Sequence, residues 1–311
     1  MSQSSPDPNL QQPLPNQNLQ QNVEGSTVGG IQGVYGNNNI QIHGSGNYVS
    51  LDGQTYSKEI TATKFRDEVL QAYFDRACKL LLDEIPITSP HTDLVRRDTA
   101  LNALRTLTLT VLRQLDEDGE RKRDVIEFLS HAGVIGGAVK LNLSSTNLKH
   151  AKLDAVQLEG AIFQGAIFDN ATLGGANLKG ADLECAVLRE AYLGGADLSG
   201  ACLKDARFNY ASLRGACLMD ASLEHTDLEK ADLSLANLKG ANLKGANMED
   251  TVLKLAHLEG ADLREIINLD PDQIKEKALD WEKARYSPEF RKKLELLPHT
   301  PGGDESSRGT P

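Results

Sequence analysis

Between residues 141 and 265 the chain repeats every five residues, in 25 consecutive pentapeptides over 125 residues without one insertion. AKLDA, VQLEG, AIFQG, AIFDN, ATLGG and ANLKG are successive examples. A short period of this kind overrides any window-by-window reading. The central residue is Leu except at Phe163, Phe168, Phe208 and Met248, and the residue two before it is Ala except at Leu141, Thr146, Val156, Thr226 and Thr251. An amphipathic helix cannot hold this pattern, because a five-residue step advances about 500° on a helix and spirals the Leu residues over every face. A chain that turns a corner every five residues can hold it, pointing Ala and Leu at one axis. Four corners close a square coil. Coils stacked at about 4.8 Å, the strand-pairing distance, hydrogen-bond through their backbones, and 25 pentapeptides then make about six coils in a rod about 30 Å long. Ala follows from the narrow interior, which two large side chains per side would overfill. Each buried Leu contributes about 1.5 to 3 kcal/mol, against about 1 to 2 kcal/mol of backbone ordering per residue. One coil is therefore unstable alone, and a stack is stable.

These residues resemble the pentapeptide-repeat family, whose motif is A(D/N)LXX, over about two fifths of the chain. The resemblance implies a right-handed quadrilateral β-helix, and the hand comes from the resemblance alone. The expected fold is mainly β: this solenoid of about six coils, with α-helical caps and an α-helical N-terminal module. The strings RTLTLTVLRQLDEDGERKRDVIEFLSHAGVI and WEKARYSPEF also look like flanks of pentapeptide repeats in cyanobacterial proteins.

Both ends of a solenoid expose unpaired backbone and need covers. Over 99–115, Leu101, Leu104, Thr108, Val111 and Leu115 fall at helical spacing, and a second helix is expected over 120–131, stopped by Gly133. An earlier stripe of Phe65, Val69, Phe74, Ala77 and Leu81 predicts a helix over 61–85. Residues 57–135 are thus an α-helical module and N-terminal cap, and 136–265 the solenoid. After it, Asp270-Pro271 reads as an N-cap and first-turn proline opening a helix with Ile274, Ala278, Trp281 and Arg285. Ser287-Pro288 repeats the signal ahead of Phe290 and Leu294, so 266–298 is a C-terminal helical cap in which Trp281 seals the last coil. Residues 1–24, rich in Gln, Asn, Pro and Ser, are expected to be a disordered leader, and 299–311 a disordered tail. In the Gly/Asn-rich segment 25–56, Ile40/Ile42 and Val49/Leu51 alternate with polar residues. Two readings stay open for it: strand addition to a partner or to another copy of the chain, or a nearly structureless linker.

A formal net charge of −11 disfavours a general nucleic-acid binder, which needs clustered Lys and Arg. No run of 18 apolar residues predicts a membrane-spanning helix, so no membrane insertion is expected. The first 25 residues lack the basic and apolar parts of a secretory signal, and the expected location is cytoplasmic. Cys78, Cys185, Cys202 and Cys217 show no close pairing, which favours buried thiols over bridges. There is no GxxxxGK[ST] loop, and no His falls at metal-ligand spacing with a second His or Cys. His225 and Cys185 share a column of a twenty-residue coil but lie two coils apart, about 10 Å. No catalytic, cofactor-binding or metal residue is expected, no cofactor, and no enzyme.

The outward columns say more. Glu184, Lys204, Glu224, Lys244 and Arg264 share one column; Asp169, Arg189, Asn209, Glu229 and Glu249 a second; Glu159, Lys179, Ser199, Met219, Lys239 and Glu259 a third. Interleaved signs neutralise the field. Some family members, the gyrase inhibitors and quinolone-resistance proteins, present an acidic rod that mimics duplex DNA, which requires uninterrupted carboxylate rows. Here the repeats hold 12 Lys+Arg against 18 Asp+Glu. Their one acidic concentration is Asp220, Glu224, Asp227, Glu229 and Asp232, interrupted by Lys230. Ile162, Ile167, Val187 and Tyr192 occupy an outward slot that usually holds Asp or Asn, and Leu235 and Leu255 a turn position normally Gly. These six are either β-propensity on exposed strands or a docking patch. The expected function is a non-enzymatic protein–protein interaction scaffold with an unidentified protein partner, a homodimer being possible. The alternatives are a DNA-mimic regulator of a type II topoisomerase (gyrase) and, more remotely, an adaptor to a membrane complex.

Overall fold

The computed structural model describes residues 40–42, 48–51, 54–83, 94–136 and 140–296; the expected leader 1–24 and tail 299–311 lie outside them. The chain divides into two units, 1–55 and 56–311. In the first, β1 (Ile40–Ile42) pairs antiparallel with β2 (Tyr48–Leu51), Ile40 opposite Leu51; β3 (Gln54–Ser57), whose residues run over the boundary at 55, follows β2 in the sheet order.

From 141 onward each pentapeptide supplies one bridging residue, paired in parallel with the residue twenty positions on, from Asn142 with Ile162 to Asn247 with Ile267. Four pentapeptides therefore make one coil. We label its sides A to D by their first central residues, Leu143, Leu148, Leu153 and Leu158. In the interior repeats four of the five N–H groups go to backbone acceptors. In one stretch of side C, Leu173 N–H donates to Tyr192 O at 2.7 Å, Gly175 N–H to Gly194 O at 2.9 Å, Ala176 N–H to Leu173 O at 3.0 Å, and Tyr192 N–H to Ala171 O at 2.9 Å. The N–H after the central residue has no such acceptor, and the Asn or Asp before the central residue supplies one. All eleven Asn and Asp at that slot accept it, from Asn142 to Asp262. The polar letter of the motif is thus a local turn acceptor.

Every corner residue, two after the central one, has a left-handed backbone; only ten of these 25 are glycine, and Tyr210, Leu235 and Leu255 are among the rest. Central and small residues line the lumen and are buried together. Where Thr replaces Ala, its hydroxyl stays satisfied: Thr146 Oγ1 donates to Leu143 O at 2.7 Å and Thr226 Oγ1 to Leu223 O at 2.8 Å.

The first coil has no coil beneath it, which orphans the carbonyls flanking each central residue. Three helices answer this: α1 (Lys58–Asp83), α2 (Leu94–Gln114) and α3 (Gly119–His131). They share a core of Tyr73, Ala77, Leu104, Leu112, Ile126 and Leu129. Their polar side chains then end the ladder side by side. Arg105 reaches Asn142 O at 2.7 Å and Ser144 O at 3.3 Å, Lys122 reaches Lys149 O at 2.8 Å, and Ser130 Oγ reaches Gln157 O at 2.7 Å. Lys152 N–H donates to Gly119 O at 3.2 Å. Lys122 is wholly buried, and that burial pulls its ammonium below the usual lysine range, against the nearby Glu117, Asp116 and Asp118.

At the other end the pairing continues past the last pentapeptide. Ile267 bridges Asn247, Leu279 bridges His257, and β5 (Arg285–Tyr286) runs parallel to β4 (Asp262–Leu263). The register slips from twenty residues to 22 and 23 because α4 (Pro271–Lys277) and a single turn of 3₁₀ helix (Trp281–Lys283) replace regular repeats. This corrects the expectation of one helix through Arg285: α4 ends at Lys277 because Ala278 is extended and Leu279 is taken into the ladder. Asp270 caps α4, and Ser287 caps α5 (Pro288–Lys293), as their sequence signals require. Trp281 packs half-buried against the core, its carbonyl accepting from Tyr286 Oη at 2.8 Å. Among the described residues, no helix is long and apolar enough to cross a membrane.

Candidate interaction face

The six apolar residues singled out from the sequence do not form one patch. Ile162 lies on side A, and Ile167 and Val187 bridge each other on side B; all three are half-buried. Tyr192 lies on side C, and Leu235 and Leu255 stack at the corner between C and D. Those three remain together, and the structure adds two that sequence reading missed: Val252, three coils above Tyr192 in its column, and Tyr210, at the corner between B and C. The five are 43–55% exposed, and within 141–265 they are the large apolar side chains that stand most open to solvent. Sorting outward positions by their remainder on division by twenty is the signal that would have found them.

Tyr192 has a built seat. A Cβ on Gly194 would come within 2.4 Å of its hydroxyl oxygen, and one on Gly174, in the coil below, within 2.7 Å of its Cε1. Neither glycine has a left-handed backbone, so turn geometry does not explain them. The ring accounts for Gly194, and at Gly174 it shares the space with Asp154 Oδ1, which a Cβ would approach to 2.8 Å. Tyr210 is held by Lys230, whose Nζ donates to its hydroxyl at 3.2 Å and lies 5.2 Å from the ring centroid. Glu229 and then Tyr210 push that ammonium above the usual lysine range.

The acidic residues are arranged across the rod. Asp220 stands at the corner between D and A, Glu224 on A, Asp227 and Glu229 on B, and Asp232 on C. Most are already engaged. Asp227 accepts from Asn209 at 2.7 Å and Asn247 at 2.9 Å, Glu229 pairs with Lys230 at 3.0 Å, and Asp232 accepts from Ser234 N–H at 2.8 Å. Two of the charge columns pair as their spacing suggests: Arg189 with the buried Asp169 at 2.7 Å, and Lys239 with Glu259 at 3.0 Å, which holds the Glu259 carboxyl below its ordinary value. In the third, Lys244 pairs with Glu265 at the corner instead.

Little here supports chemistry. The four cysteines are free, but none is the buried thiol expected from the sequence: Cys78 and Cys185 are exposed and Cys202 and Cys217 half-buried, because the last three fall at corner or outward positions of the coil. One ligand atom each from Glu184, Cys185 and Asp205 fall within 4.8 Å of one another, and the last two are exposed. Ser199 bonds Asp197 and lies 3.1 Å from Cys217 Sγ, and that hydroxyl lowers the Asp197 pKa. A shallow groove of about 640 Å³ runs between α3 and side D, lined by Ser130, Lys140, Gln157, Glu159, Asn177 and Lys179. Ile135, Gly136, Gly160, Gly180, Gly200 and Ser199 complete its walls, and the Ser199 hydroxyl there is the one bonded to the Asp197 carboxylate.

The family model for pentapeptide repeats matches the chain in eight copies, over residues 142–180, 181–218, 216–254 and 231–267. No curated protein matches it in sequence. Among solved structures it is similar to HetL, a pentapeptide repeat protein involved in heterocyst differentiation regulation from the cyanobacterium Nostoc sp. strain PCC 7120, at 26% identity over 49% of this chain and 81% of that one, with a TM-score of 0.26. A second pentapeptide repeat protein of Nostoc PCC 7120 is 31% identical over 39% of this chain and 84% of its own, with a TM-score of 0.22. Full-length QnrB1, a plasmid-mediated fluoroquinolone resistance protein, is 15% identical over 49% of this chain and 87% of its own, with a TM-score of 0.34.

Proposed function

We propose, from the premise that this chain belongs to the pentapeptide-repeat family, that it is a non-enzymatic scaffold offering side C of its solenoid to a protein partner. One observation carries the reading: Tyr192, Tyr210, Leu235, Val252 and Leu255, the exposed large apolar side chains of the repeats, share one side and its two edges. Scattered apolar residues on a surface need no explanation, whereas apolar residues gathered on one face of a polar rod mark a binding surface. The ladder makes that face rigid, so little ordering entropy opposes binding. The reading includes a right-handed coil of about six turns, at twenty residues per turn.

A DNA-mimic regulator of gyrase needs carboxylates in rows along the rod, and the acidic girdle from Asp220 to Asp232 runs across it. Inhibition of supercoiling by stoichiometric protein would reverse the order of these two readings. The direct test of the scaffold places a photo-crosslinking amino acid at Val252 on side C or at Ser222 on side A of the full chain. Side C should trap a specific partner and side A should not. L235D/L255D should reduce the trapped product at least tenfold with the thermal midpoint unchanged. Equal trapping from both sides would sink the proposal.

A further inference from the structure

We infer that side C binds an extended proline-rich segment bearing a carboxylate, with a prolyl ring on Tyr192 and the carboxylate at Arg214; this rests on the scaffold reading and specifies its partner. Tyr192 is 50% exposed, with its ring laid over Gly174 and Gly194. A half-exposed ring seated on two bare backbone positions is a stacking platform. Around it Gly175, Gly195 and Gly215 leave open space, a Cβ on any of them meeting nothing within 4 Å, so a chain can lie across the side without obstruction.

Arg214 sits one coil above Gly194 in the same column, since residues twenty apart stack. Its side chain is exposed and has no hydrogen-bond or ion-pair partner among the described residues. Arg207 and Lys254 are exposed without such a partner too, but Arg214 is the one on side C in the coil next to the aromatic platform, and the complement of a guanidinium is a carboxylate.

The backbone decides what form the ligand takes. The ladder groups of side C are bonded within the solenoid, so a β-strand could not add to it. A polyproline II segment needs no such partner, because its backbone is self-sufficient in solution and it is recognised through aromatic surfaces. From Tyr192 to Val252 is three coils, about 14 Å at strand spacing, matching about five residues of polyproline II at about 3.1 Å each. Between Tyr192 and Val252 the column carries Ser212 and Asp232, the latter engaged by Ser234 N–H, and the upper part of the track carries Leu235, Val252 and Leu255 around the exposed Lys254. That surface suits apolar rings with a nearby carboxylate better than the hydroxyls of a sugar.

The test uses the full chain and a fluorescein-labelled hexapeptide of five prolines and one central glutamate, read by fluorescence anisotropy. Replacing the glutamate by lysine should weaken binding about tenfold, and replacing the prolines by glycine and serine should abolish it. Tyr192→Ala should weaken binding at least tenfold. Gly194→Val, which leaves the tyrosine present but evicts its ring, should do the same. Arg214→Gln should erase the preference for glutamate over lysine, and its salt dependence, while keeping the preference for proline. All three positions are on the surface, and unchanged circular dichroism checks the fold. Equal affinity for the proline and glycine–serine peptides, full affinity in Tyr192→Ala, or displacement of the peptide by a uronic-acid polymer at lower concentration would each overturn the inference. A partner trapped at Val252 with no affinity for the peptide would overturn this inference alone, and peptide binding with no partner trapped there would count against the scaffold alone.

Discussion

Substituting Gly119 by Ala sets two effects of opposite sign against each other. Gly119 opens α3 and its backbone is not left-handed, so on helix propensity alone Ala should stabilise the protein by up to about 1 kcal/mol. The structure says otherwise. A Cβ there would stand 2.1 Å from His150 O and 3.1 Å from His150 C, both backbone atoms of the first coil. Backbone cannot swing aside as a side chain can, so α3 must retreat from the solenoid by about 1 Å to reach ordinary contact. That retreat stretches the Lys152 N–H bond to Gly119 O and the Lys122 bond to Lys149 O. A neutral backbone bond is worth about 0.5 to 1.5 kcal/mol and one from a charged donor about 1.5 to 3 kcal/mol. Their combined loss exceeds the propensity gain, and the net expectation is destabilisation by about 1 to 4 kcal/mol. Equilibrium urea denaturation, with the midpoint and slope fitted together, measures it. Gly194→Ala is the matched control, because its Cβ meets only the end of the Tyr192 side chain, which can move, and its stability should stay within about 1 kcal/mol of wild type. Stabilisation by Gly119→Ala would refute the account of how the helices terminate the ladder.

Three further outcomes follow from the same geometry. Leu198→Ala, a full truncation in the closed lumen, should destabilise by about 2 to 5 kcal/mol in urea, and a loss under about 1 kcal/mol would mean that the interior is loosely filled. L235D/L255D, at exposed corners, should shift stability by no more than about 1 kcal/mol, so that its loss of partner trapping reports the surface. Hydrogen bonds and ion pairs hold Asp197, Glu259 and Asp262 below their ordinary values of 3.8, 4.5 and 3.8. As pH falls through that range the unfolded chain takes up protons first, so stability drops. The thermal midpoint should decline below about pH 4, and a midpoint that rises on acidification would contradict the assignment.

The coil was legible because its constraint is local and repeated: a five-residue period with Ala and Leu at fixed phase leaves a turning chain as the way to bury both. The ends were less legible. Nothing in the spacing of Leu104 or Leu129 reveals that Arg105, Lys122 and Ser130, between and beside those core positions, reach the orphan carbonyls of Asn142, Lys149 and Gln157. Such contacts depend on how two independent elements meet. The helix expected through Arg285 failed because propensity and capping describe a segment in isolation, whereas Leu279 and Arg285 answer to the open edge above His257 and Asp262. The apolar patch was half legible. Its residue types stood out, but only phase within a twenty-residue coil tells Ile162 on side A from Tyr192 on side C.

The slot before the central residue joins stability to recognition. Where it holds Asn or Asp, the side chain satisfies the one N–H in each repeat that the ladder leaves over, a contribution of about 0.5 to 1.5 kcal/mol. Tyr192 and Val252 have no acceptor to offer there. On side C only Asp232 makes this bond; Lys152, Thr172 and Ser212 forgo it as well, but in that column Tyr192 and Val252 alone also place a large apolar group in water, with bare glycines beneath the Tyr192 ring. Exposed apolar groups that stabilise neither the turn nor the lumen are what the proposed ligand reading rests on. The half-buried Ile167 and Val187 forgo the same bond but cover each other across one bridge, so packing accounts for them. In a repeat protein the regular letters define the rod, and the letters that weaken the rod without repaying it in packing mark where something else docks.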